Sequence, residues 1–331
     1  MTSYLHSDLK ILSGKTALVT GGTGMIGREA VKILCKAGAR VRVVSLDKIK
    51  LEEPVEQIHG DLCDFNFCKK ITKDIDYVFH IAGIKGSIVV TKEKPASFFV
   101  PLLMMNTNLL EAARLAEIKG LVYTSSIGVY PSAEVFIEEN YDLTQAPMDL
   151  FPGWAKRIAE MQIEAYMVQY GLKNFSIVRP SNVYGPGDNF DPENAMVIPS
   201  LMARIHKGEN PVVIWGDGSA IRDFVFSRDV ALGIILACIK GTHGKAVNLG
   251  GIKGYTIKEL VETLHKVTPF TYEFDSSKPK GFPKRIMDNS HSRATIGYEP
   301  SVSLEDGLRE TWEWFIDHAE EYKKRLNYFT K

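Results

Sequence analysis

A glycine-rich turn between an apolar segment and a helical pattern constrains the fold of this chain most strongly. Residues 16–20 form an apolar run of strand length, and Gly21, Gly24 and Gly27 follow with the spacing G-x-x-G-x-x-G. The first glycine permits a tight turn, the second lets the backbone approach a pyrophosphate, and the third lets the helix pack against the strand. The free N–H groups at the start of that helix favour an anion. A plain turn is the alternative, and the flanking strand and helix argue against it. The residues predicted to bind a dinucleotide here are Gly21, Thr23, Gly24, Met25, Ile26 and Gly27.

The next predicted strand, residues 40–46, ends at an acidic residue, Asp47. In dinucleotide-binding units an acidic residue about 20 residues beyond the glycines binds the adenosine ribose. The charge of Asp47 would repel a 2′-phosphate, although Lys48 beside it works in the opposite direction. The sequence therefore favours NAD over NADP, with a solvated turn residue as the alternative interpretation of Asp47.

Strands and helices alternate over the first half of the chain. Asp61 and Leu62 follow a short strand, where Asp61 either accepts a hydrogen bond from adenine or caps the next helix, and Ala82 follows a buried strand that ends close to the cofactor. This alternation predicts an α/β fold, a Rossmann-type doubly wound parallel sheet. The predicted strands are 16–20, 40–46, 55–59, 77–81, 121–125 and 175–179, and the predicted helical regions are 95–117 and 149–170.

The pattern changes near residue 180. We expect residues 1–180 to form an NAD-binding Rossmann domain, to which part of the later chain returns, and residues 181–331 to form mainly a smaller substrate-binding lobe. Ligands of such sheets bind outside the carboxyl ends of the strands, so Ser126, Asn182 and the glycine turn should meet at one cleft. The predicted helices of the second part are 194–207, 228–239, 256–266 and 302–326.

Composition excludes several classes of protein. The chain has 331 residues with 40 acidic and 40 basic side chains, and no basic stripe suggests a nucleic-acid partner. No apolar run reaches the length of a membrane span, and no signal-peptide pattern opens the chain. The four cysteines are scattered, so we expect reduced thiols, no metal site and a cytoplasmic protein.

These motifs together resemble the extended short-chain dehydrogenase/reductases, the NAD-dependent epimerase/dehydratase family, whose members act on nucleotide sugars. The matching segments run nearly from end to end, and residues 80–90 and 183–199 are most similar to GDP-sugar members such as the GDP-fucose synthases. The segments are TGGTGMIG (20–27), GDL (60–62), HIAG (80–83), SSIGVYP (125–131), GWAK (153–156), RPSNVYGPGDNF (179–190) and WGDGSAIRDFVFSRDVA (215–231).

The resemblance implies catalytic roles for Ser126 and Lys156. In the family a Ser or Thr orients the sugar oxygen, a Tyr moves the hydroxyl proton, and a Lys four residues later lowers the Tyr pKa and binds the nicotinamide ribose. Here the tyrosine position is Pro152. Three interpretations stay open: Ser126, Lys156 or a water handles the proton, a tyrosine such as Tyr141 or Tyr184 reaches in, or the protein is slow or inactive.

A second departure narrows the reaction. The GDP-fucose synthases use a Cys and a His to epimerise the sugar, and the matching positions are Gly128 and Gly187. A 4,6-dehydratase would need an acidic pair where Ile127 and Gly128 stand. Redox at one sugar carbon, C4, therefore remains, either as net oxidation of a GDP-hexose or GDP-heptose to a 4-keto sugar or within a 4-epimerase or 4-keto reductase. A binding protein without turnover is the third hypothesis.

The resemblance also implies a nucleotide-sugar site. Arg222 matches a residue that holds the substrate diphosphate, and a surface ion pair with Asp223 or Asp229 is its alternative role. Trp215 is interpreted as either a stacking partner of the base or a core residue. The long helices near 95–117 and 151–170 resemble the dimer-forming pair of the family, which implies a homodimer or homotetramer. The predicted substrate-binding residues are Ser126, Asn182, Val197, Arg222 and Arg285.

Overall fold

The computed structural model describes residues 8–84, 86, 88–191 and 194–322. Its strands, in chain order, are β1 (Thr16–Thr20), β2 (Arg40–Ser45), β3 (Glu56–His59), β4 (Tyr77–His80), β5 (Gly120–Thr124), β6 (Val135–Phe136), β7 (Phe175–Pro180), β8 (Asn182–Tyr184), β9 (Val212–Trp215), β10 (Ile221–Phe226), β11 (Ala246–Leu249), β12 (Gly254–Thr256), β13 (Tyr272–Asp275) and β14 (Lys284–Met287). Its α-helices are α1 (Met25–Lys36), α2 (Phe65–Ile71), α3 (Ile88–Glu93), α4 (Pro95–Leu115), α5 (Leu150–Tyr170), α6 (Val197–His206), α7 (Ser227–Lys240), α8 (Ile257–Val267), α9 (Ser290–Ile296) and α10 (Leu304–Tyr322).

A parallel sheet organises the described part of the chain, with seven strands in the order β11-β7-β5-β4-β1-β2-β3. Its central strands are apolar throughout because helices cover both faces. Alternate residues of β1 face opposite sides: Ala17 and Val19 pack towards α1 and α7, whereas Leu18 packs towards α2, α4 and α5. This arrangement confirms the predicted doubly wound α/β fold.

The chain changes direction between β1 and β4. From β1 it continues outwards to β2 and β3, and it then returns to β4 on the other side of β1. Loops that leave neighbouring strands in opposite directions open a crevice at the carboxyl edge of the sheet, which is where ligands bind in such folds. The predicted cleft therefore lies at this edge, above β1 and β4.

A second layer of short strands stands beside this edge. β12, β10, β14 and β6 form one sheet, with β8 paired to β10, and β9 pairs with β13. α6, α8 and α10 cover a separate apolar cluster that includes Ile198, Leu260 and Leu308. β11 and α7, by contrast, belong to the large sheet and its covering layer, although they come later in the chain.

The predicted elements match the observed ones with small shifts at their ends. The helix predicted over 302–326 begins at Leu304 and is described to Tyr322, so its last predicted residues lie outside the described ranges. A 3₁₀ turn at Lys10–Leu12 precedes β1 and buries Leu12. Several short elements were not predicted individually, among them α3, β6, β8 and α9. No helix of the described ranges combines the length and apolar character that crossing a membrane requires.

Candidate active site

The glycine turn joins β1 directly to α1. A Cβ atom on Gly27 would lie 2.1 Å from the carbonyl oxygen of Gly21, so this position requires glycine for close packing of helix and turn. A Cβ on Gly24 would meet only that same oxygen, at 3.3 Å, which leaves the other side of Gly24 open. Because the first N–H groups of α1 have no acceptor within the helix, the turn and helix start form an anion-binding cradle.

One large cleft of about 1990 Å³ runs along the carboxyl edge of the sheet, between the sheet and the second layer. It contains the glycine cradle, the ends of β2, β3, β4 and β5, and residues from β8, α6, β10 and β14. Every residue that the sequence proposes for cofactor or substrate binding lines it. They are Gly21, Thr23, Gly24, Met25, Ile26, Gly27, Asp47, Asp61, Leu62, Ala82, Ser126, Lys156, Asn182, Val197, Arg222 and Arg285.

Asp47 closes one end of the cleft. Its Oδ2 accepts a hydrogen bond from the Thr23 hydroxyl (2.8 Å), and its Oδ1 accepts one from the Ile49 N–H (3.1 Å). The side chain is thereby held at the end of β2, beside the glycine cradle, and is half-buried rather than a freely solvated turn residue. Asp61 accepts from the Cys63 N–H (2.9 Å), while Asp64 caps α2, so the predicted helix-capping role of Asp61 is wrong.

A buried polar chain supports the floor of the cleft. Thr20 Oγ1 contacts His80 Nδ1 (2.9 Å), His80 Nε2 contacts Asn106 Oδ1 (3.0 Å), and the Asn106 amide donates to Tyr123 Oη (3.0 Å). Burial lowers the pKa of His80 to about 3, so its ring stays neutral. The same Thr20 hydroxyl accepts from the Ala82 N–H (3.2 Å), which fixes the small residue against the glycine turn.

Ser126 and Lys156 meet at the end of β5. Ser126 Oγ accepts from the Gly128 N–H (3.0 Å), which leaves its own proton for a ligand oxygen. Lys156 Nζ donates to the carbonyl oxygens of Thr124 (2.8 Å) and Ser125 (3.2 Å). Burial lowers the pKa of Lys156 to about 8, against the opposite influence of Glu160 and Asp149. The lysine is thus a half-buried, hydrogen-bonded group at the cleft rather than a solvated helix residue.

The tyrosine position is occupied by Pro152 at the lip of the cleft, within the first turn of α5. A proline fits there because the first N–H groups of a helix have no acceptor in the helix. Of the two tyrosines considered as substitutes, Tyr184 lines the cleft, and its Oη donates to the Leu304 carbonyl at 3.5 Å. The Tyr141 ring centroid lies 3.9 Å from the Arg179 guanidinium, and Tyr141 is not among the lining residues. Neither contact directs a tyrosine hydroxyl towards Ser126, and a role for these residues stays a prediction.

Asp149 is a lining residue that sequence reasoning missed. It immediately precedes α5, and its carboxyl oxygen Oδ2 lies 2.1 Å from where a Cβ of Gly128 would be. The signal was present in the sequence, because a glycine at position 128 vacates space that another side chain can enter. Proximity of residues 128 and 149, however, depends on how α5 packs on the turn after β5.

Two arginines face the opposite end of the cleft. Arg222 on β10 is the direct register partner of Arg285 on β14, and burial lowers the pKa of both guanidinium groups. Arg222 donates to the carbonyls of Ile221 (2.8 Å) and Phe282 (2.7 Å), and no carboxylate of the described residues pairs with either arginine. The alternative ion pairs are wrong, since Asp223 accepts from the Gly251 and Met287 N–H groups and Asp229 from Ser301 and Val302.

The remaining predicted contacts lie between these ends. Asn182 donates to the Asp223 carbonyl (2.9 Å), which fixes its side chain at the start of β8, and Val197 begins α6. Trp215 lines the cleft and is 64% exposed, so its interpretation as a core residue is wrong. An exposed indole that lines the same cleft as the two arginines is suited to stack on a planar base.

Comparison with known proteins agrees with this architecture. The family model for the NAD dependent epimerase/dehydratase family matches residues 17–250. GDP-L-fucose synthase 1 of Arabidopsis thaliana is 32% identical over 96% of this chain and 99% of its own length. Among solved structures, the epimerase Mth375 of Methanothermobacter thermautotrophicus is 25% identical with a TM-score of 0.85, covering 97% of this chain and 98% of its own. The UDP-glucose 4-epimerase of Thermotoga maritima is 30% identical with a TM-score of 0.79, covering 92% and 99%.

Proposed function

The chain belongs to the NAD dependent epimerase/dehydratase family, and we propose that it oxidises C4 of a GDP-hexose or GDP-heptose to a 4-keto sugar with NAD. The observation that carries this proposal is the content of the single large cleft among the described residues. The glycine cradle lies at one end with Asp47 beside it, Ser126 and Lys156 lie further along, and the pair Arg222 and Arg285 faces the other end.

The residues present fit a dinucleotide. Gly21 adopts a φ of +69°, which favours glycine, and Gly24 leaves the N–H groups at the start of α1 accessible to a diphosphate. Asp47 would accept hydrogen bonds from the adenosine ribose hydroxyls, and Lys156 would reach the nicotinamide ribose. We therefore propose NAD as the cofactor, since the Asp47 carboxylate would oppose a 2′-phosphate.

The arginine pair fits the diphosphate of a nucleotide sugar. Two guanidinium groups on adjacent strands repel each other, and a diphosphate would satisfy both through paired hydrogen bonds. Trp215 would stack on the base, and Asn182 and Ser126 would bind the sugar. The similarity to GDP-L-fucose synthases supports guanine as the base of the substrate. Because a UDP-glucose 4-epimerase is also similar to this chain, UDP-sugars are the first alternative substrates to test.

The reaction balances with NAD+ as the oxidant. When bound, oxidised nicotinamide accepts a hydride from C4 of the sugar, and the C4 hydroxyl releases its proton to a base, giving the ketone, NADH and H+. Ser126 would donate a hydrogen bond to the sugar oxygen. Lys156 would hold positive charge beside the developing ketone. Gly128 and Gly187, which line the cleft and have no ionisable group, disfavour the epimerisation that the GDP-fucose synthases perform.

A 4-epimerase is the second candidate, because a solved 4-epimerase shares 30% identity over 92% of this chain. A 4-epimerase would use the same hydride chemistry of bound NAD in both directions, and the sugar would regain its hydride on the opposite face of C4. The two candidates differ in net redox: the first releases a 4-keto sugar and NADH, whereas the second leaves neither.

The test is incubation of the purified protein with NAD+ and a panel of GDP- and UDP-sugars, including GDP-mannose and a GDP-manno-heptose. We expect a product two mass units lighter than one GDP-sugar, with matching absorbance of NADH. An isomer of unchanged mass would favour the 4-epimerase. Reduction of a 4-keto sugar with added NADH measures the reverse direction. Binding of NAD and GDP-sugar without any product would identify a binding protein and overturn the proposal.

We also propose a dimer through α4 and α5. Both helices carry exposed apolar side chains, Val100 and Met104 on the first and Ile158 and Met161 on the second. A second copy would bury these side chains, as the resemblance to dimeric relatives implies. Light scattering should give twice the mass of the 37.0 kDa chain or a higher even multiple. A monomer at micromolar concentration would overturn this assignment.

A further inference from the structure

The proposed reaction needs an acceptor for the hydroxyl proton, and Pro152 cannot be one. We propose that Asp149 is the acid/base group of this cleft, taking the C4 hydroxyl proton as hydride leaves and returning it in the reverse direction. This inference rests on the proposed redox reaction and adds the group that moves its proton. It assigns the task to a carboxylate three residues before the tyrosine position.

Geometry brings Asp149 beside Ser126. Gly128 contacts both: its N–H donates to Ser126 Oγ (3.0 Å), and its Cα faces the Asp149 carboxylate, which occupies the space that a Cβ would take. The Asp149 N–H in turn donates to the Gly128 carbonyl (3.2 Å). The hydroxyl that would orient the sugar oxygen and the carboxylate that would take its proton therefore border the same glycine.

The Asp149 side chain has no structural task that would account for its position. It stands at the N-cap of α5 but accepts no capping hydrogen bond, and none of the described residues forms a hydrogen bond or ion pair with its carboxylate. Asp64, at the N-cap of α2, accepts two backbone N–H groups. A carboxylate that leaves its helix uncapped and turns into a cleft has its lone pairs available for a ligand.

The backbone beside Asp149 is strained. Leu150 has a φ of +41°, in the left-handed region that residues other than glycine rarely adopt. Such conformations cost about 1–3 kcal/mol and occur preferentially at functional sites. Leu150 lines the cleft and is exposed, so burying its own apolar side chain does not explain the strain. The strained turn does fix where Asp149 enters the cleft.

The charged surroundings suit proton transfer. The Asp149 residue is exposed to solvent, but its carboxylate lies against Gly128, and desolvation there raises the pKa of Asp149 above its ordinary 3.8. Arg285 on β14 and Lys156 on α5 act in the opposite direction and favour the ionised form. The raised pKa makes this carboxylate a stronger base than an unperturbed aspartate.

The other carboxylates of the described lining are less suited. Asp47 and Asp61 follow β2 and β3 at the adenosine end, and Asp188 and Asp191 belong to the loop after β8. Asp47 and Asp188 each accept backbone N–H groups, from Ile49 and Asn189 respectively. Asp149 differs from these residues because its carboxylate contacts Gly128, the same glycine whose N–H donates to Ser126 Oγ.

The experiment compares wild type, Asp149→Asn, Asp149→Glu and the control Asp142→Asn, whose carboxylate accepts from Thr144 and Gln145 and does not line the cleft. We expect Asp149→Asn to lower kcat by about 10²–10⁴-fold, the usual contribution of a general base. Calorimetric affinities for NAD+ and the nucleotide sugar should stay within about threefold. Asp149→Glu should recover part of the rate, and Asp142→Asn should equal wild type.

A pH profile separates Asp149 from Lys156 as the base. A base works when deprotonated, so activity falls as pH falls through its pKa. With Lys156 as the base, whose pKa is about 8, the rate at pH 7 would be about a tenth of its plateau. With Asp149 as the base, the acidic limb of the wild-type profile disappears in Asp149→Asn, whereas with Lys156 as the base it stays.

The results distinguish a failure of the Asp149 role from a failure of the proposed reaction. An active wild type whose Asp149→Asn variant keeps its rate, or loses its rate only through weaker binding, overturns the role of Asp149 and leaves the proposed reaction standing. An acidic limb near pH 8 that persists in Asp149→Asn assigns the proton to Lys156 and likewise overturns this inference. A wild type that converts no nucleotide sugar overturns the proposed function and this inference with it.

Discussion

The two halves of the cleft are built in different ways. The cofactor half is mainly backbone: a strand, a turn and a helix start from one continuous segment, with Asp47 added from the neighbouring strand. The sugar half is mainly side chains from separated segments, including Ser126, Asp149, Asn182 and Arg222. A binding site formed by the backbone of one continuous segment can be recognised in a sequence by its glycines. A set of side chains that meet across a fold can be recognised only when the fold is known.

The halves also differ in how closely they follow family relatives. By the resemblance drawn from the sequence, the glycine spacing and the acidic strand end match the family pattern, whereas the sugar half departs from it at Pro152, Gly128 and Gly187. Conserving the cofactor half while changing the proton-transfer residues is expected when the same redox step is combined with a different proton path. The comparison therefore predicts different consequences for substitutions in the two halves.

The largest effect is expected from Gly27→Val in the cofactor half. The Cβ of the new valine would lie 2.1 Å from the Gly21 carbonyl oxygen and 2.7 Å from Gly22 Cα. Both are backbone atoms, so no rotamer of the valine relieves the clash. We expect a loss of about 3 kcal/mol or more in stability and no measurable NAD binding. Thermal unfolding and calorimetry check both. Gly14→Ala is the control for binding: its φ of +71° makes alanine strained there, so some stability is lost, but a Cβ meets nothing within 4 Å and NAD affinity should not change. A stable Gly27→Val protein that binds NAD would contradict the cradle.

A smaller effect is expected from Arg222→Met in the sugar half. Loss of a charge-assisted hydrogen bond to a diphosphate costs about 1.5–3 kcal/mol, which weakens nucleotide-sugar binding by about 10–100-fold. NAD affinity should not change. Arg309→Met, at an exposed i,i+4 ion pair on α10, is the matched control and should bind both ligands like wild type. Equal weakening of NAD and nucleotide sugar by Arg222→Met would mean that the two halves are not separate sites.

The contrast between continuous segments and contacts across the fold explains which elements and site residues could be predicted from the sequence. β1, β4, β5 and β7 are buried on both faces and read as continuous apolar runs, so their positions were predicted to within one or two residues. β6 has two residues and α9 has seven, too few to establish a period. The pairing of Arg222 with Arg285 could not be predicted either, because strand order between β10 and β14 depends on tertiary packing. The roles of the lining residues remain predictions.

The cofactor choice gives a third, still smaller effect. Asp47→Asn removes the charge that would accept from the ribose hydroxyls and oppose a 2′-phosphate, so NAD binding should weaken about tenfold while NADP binding strengthens. The Thr23 contact can survive, because an amide oxygen also accepts. Titration of NAD and NADP against both proteins measures the ratio. A wild type that already prefers NADP would refute the assignment of NAD.

The smallest effect is expected at the position where this chain departs most visibly from its relatives. If the proton leaves through Asp149, a hydroxyl at position 152 adds little. The informative quantity is the ratio of kcat between Pro152→Tyr and Pro152→Phe, because the two variants share the bulk of an aromatic ring at the lip of the cleft and differ only in the hydroxyl. We expect this ratio to stay within about threefold at pH 7, although both variants can differ from wild type through packing against the exposed Phe151. A tyrosine variant more than tenfold faster than its phenylalanine partner would show that the native cleft lacks an efficient proton acceptor, since general-base help is worth at least about 10²-fold where it is missing.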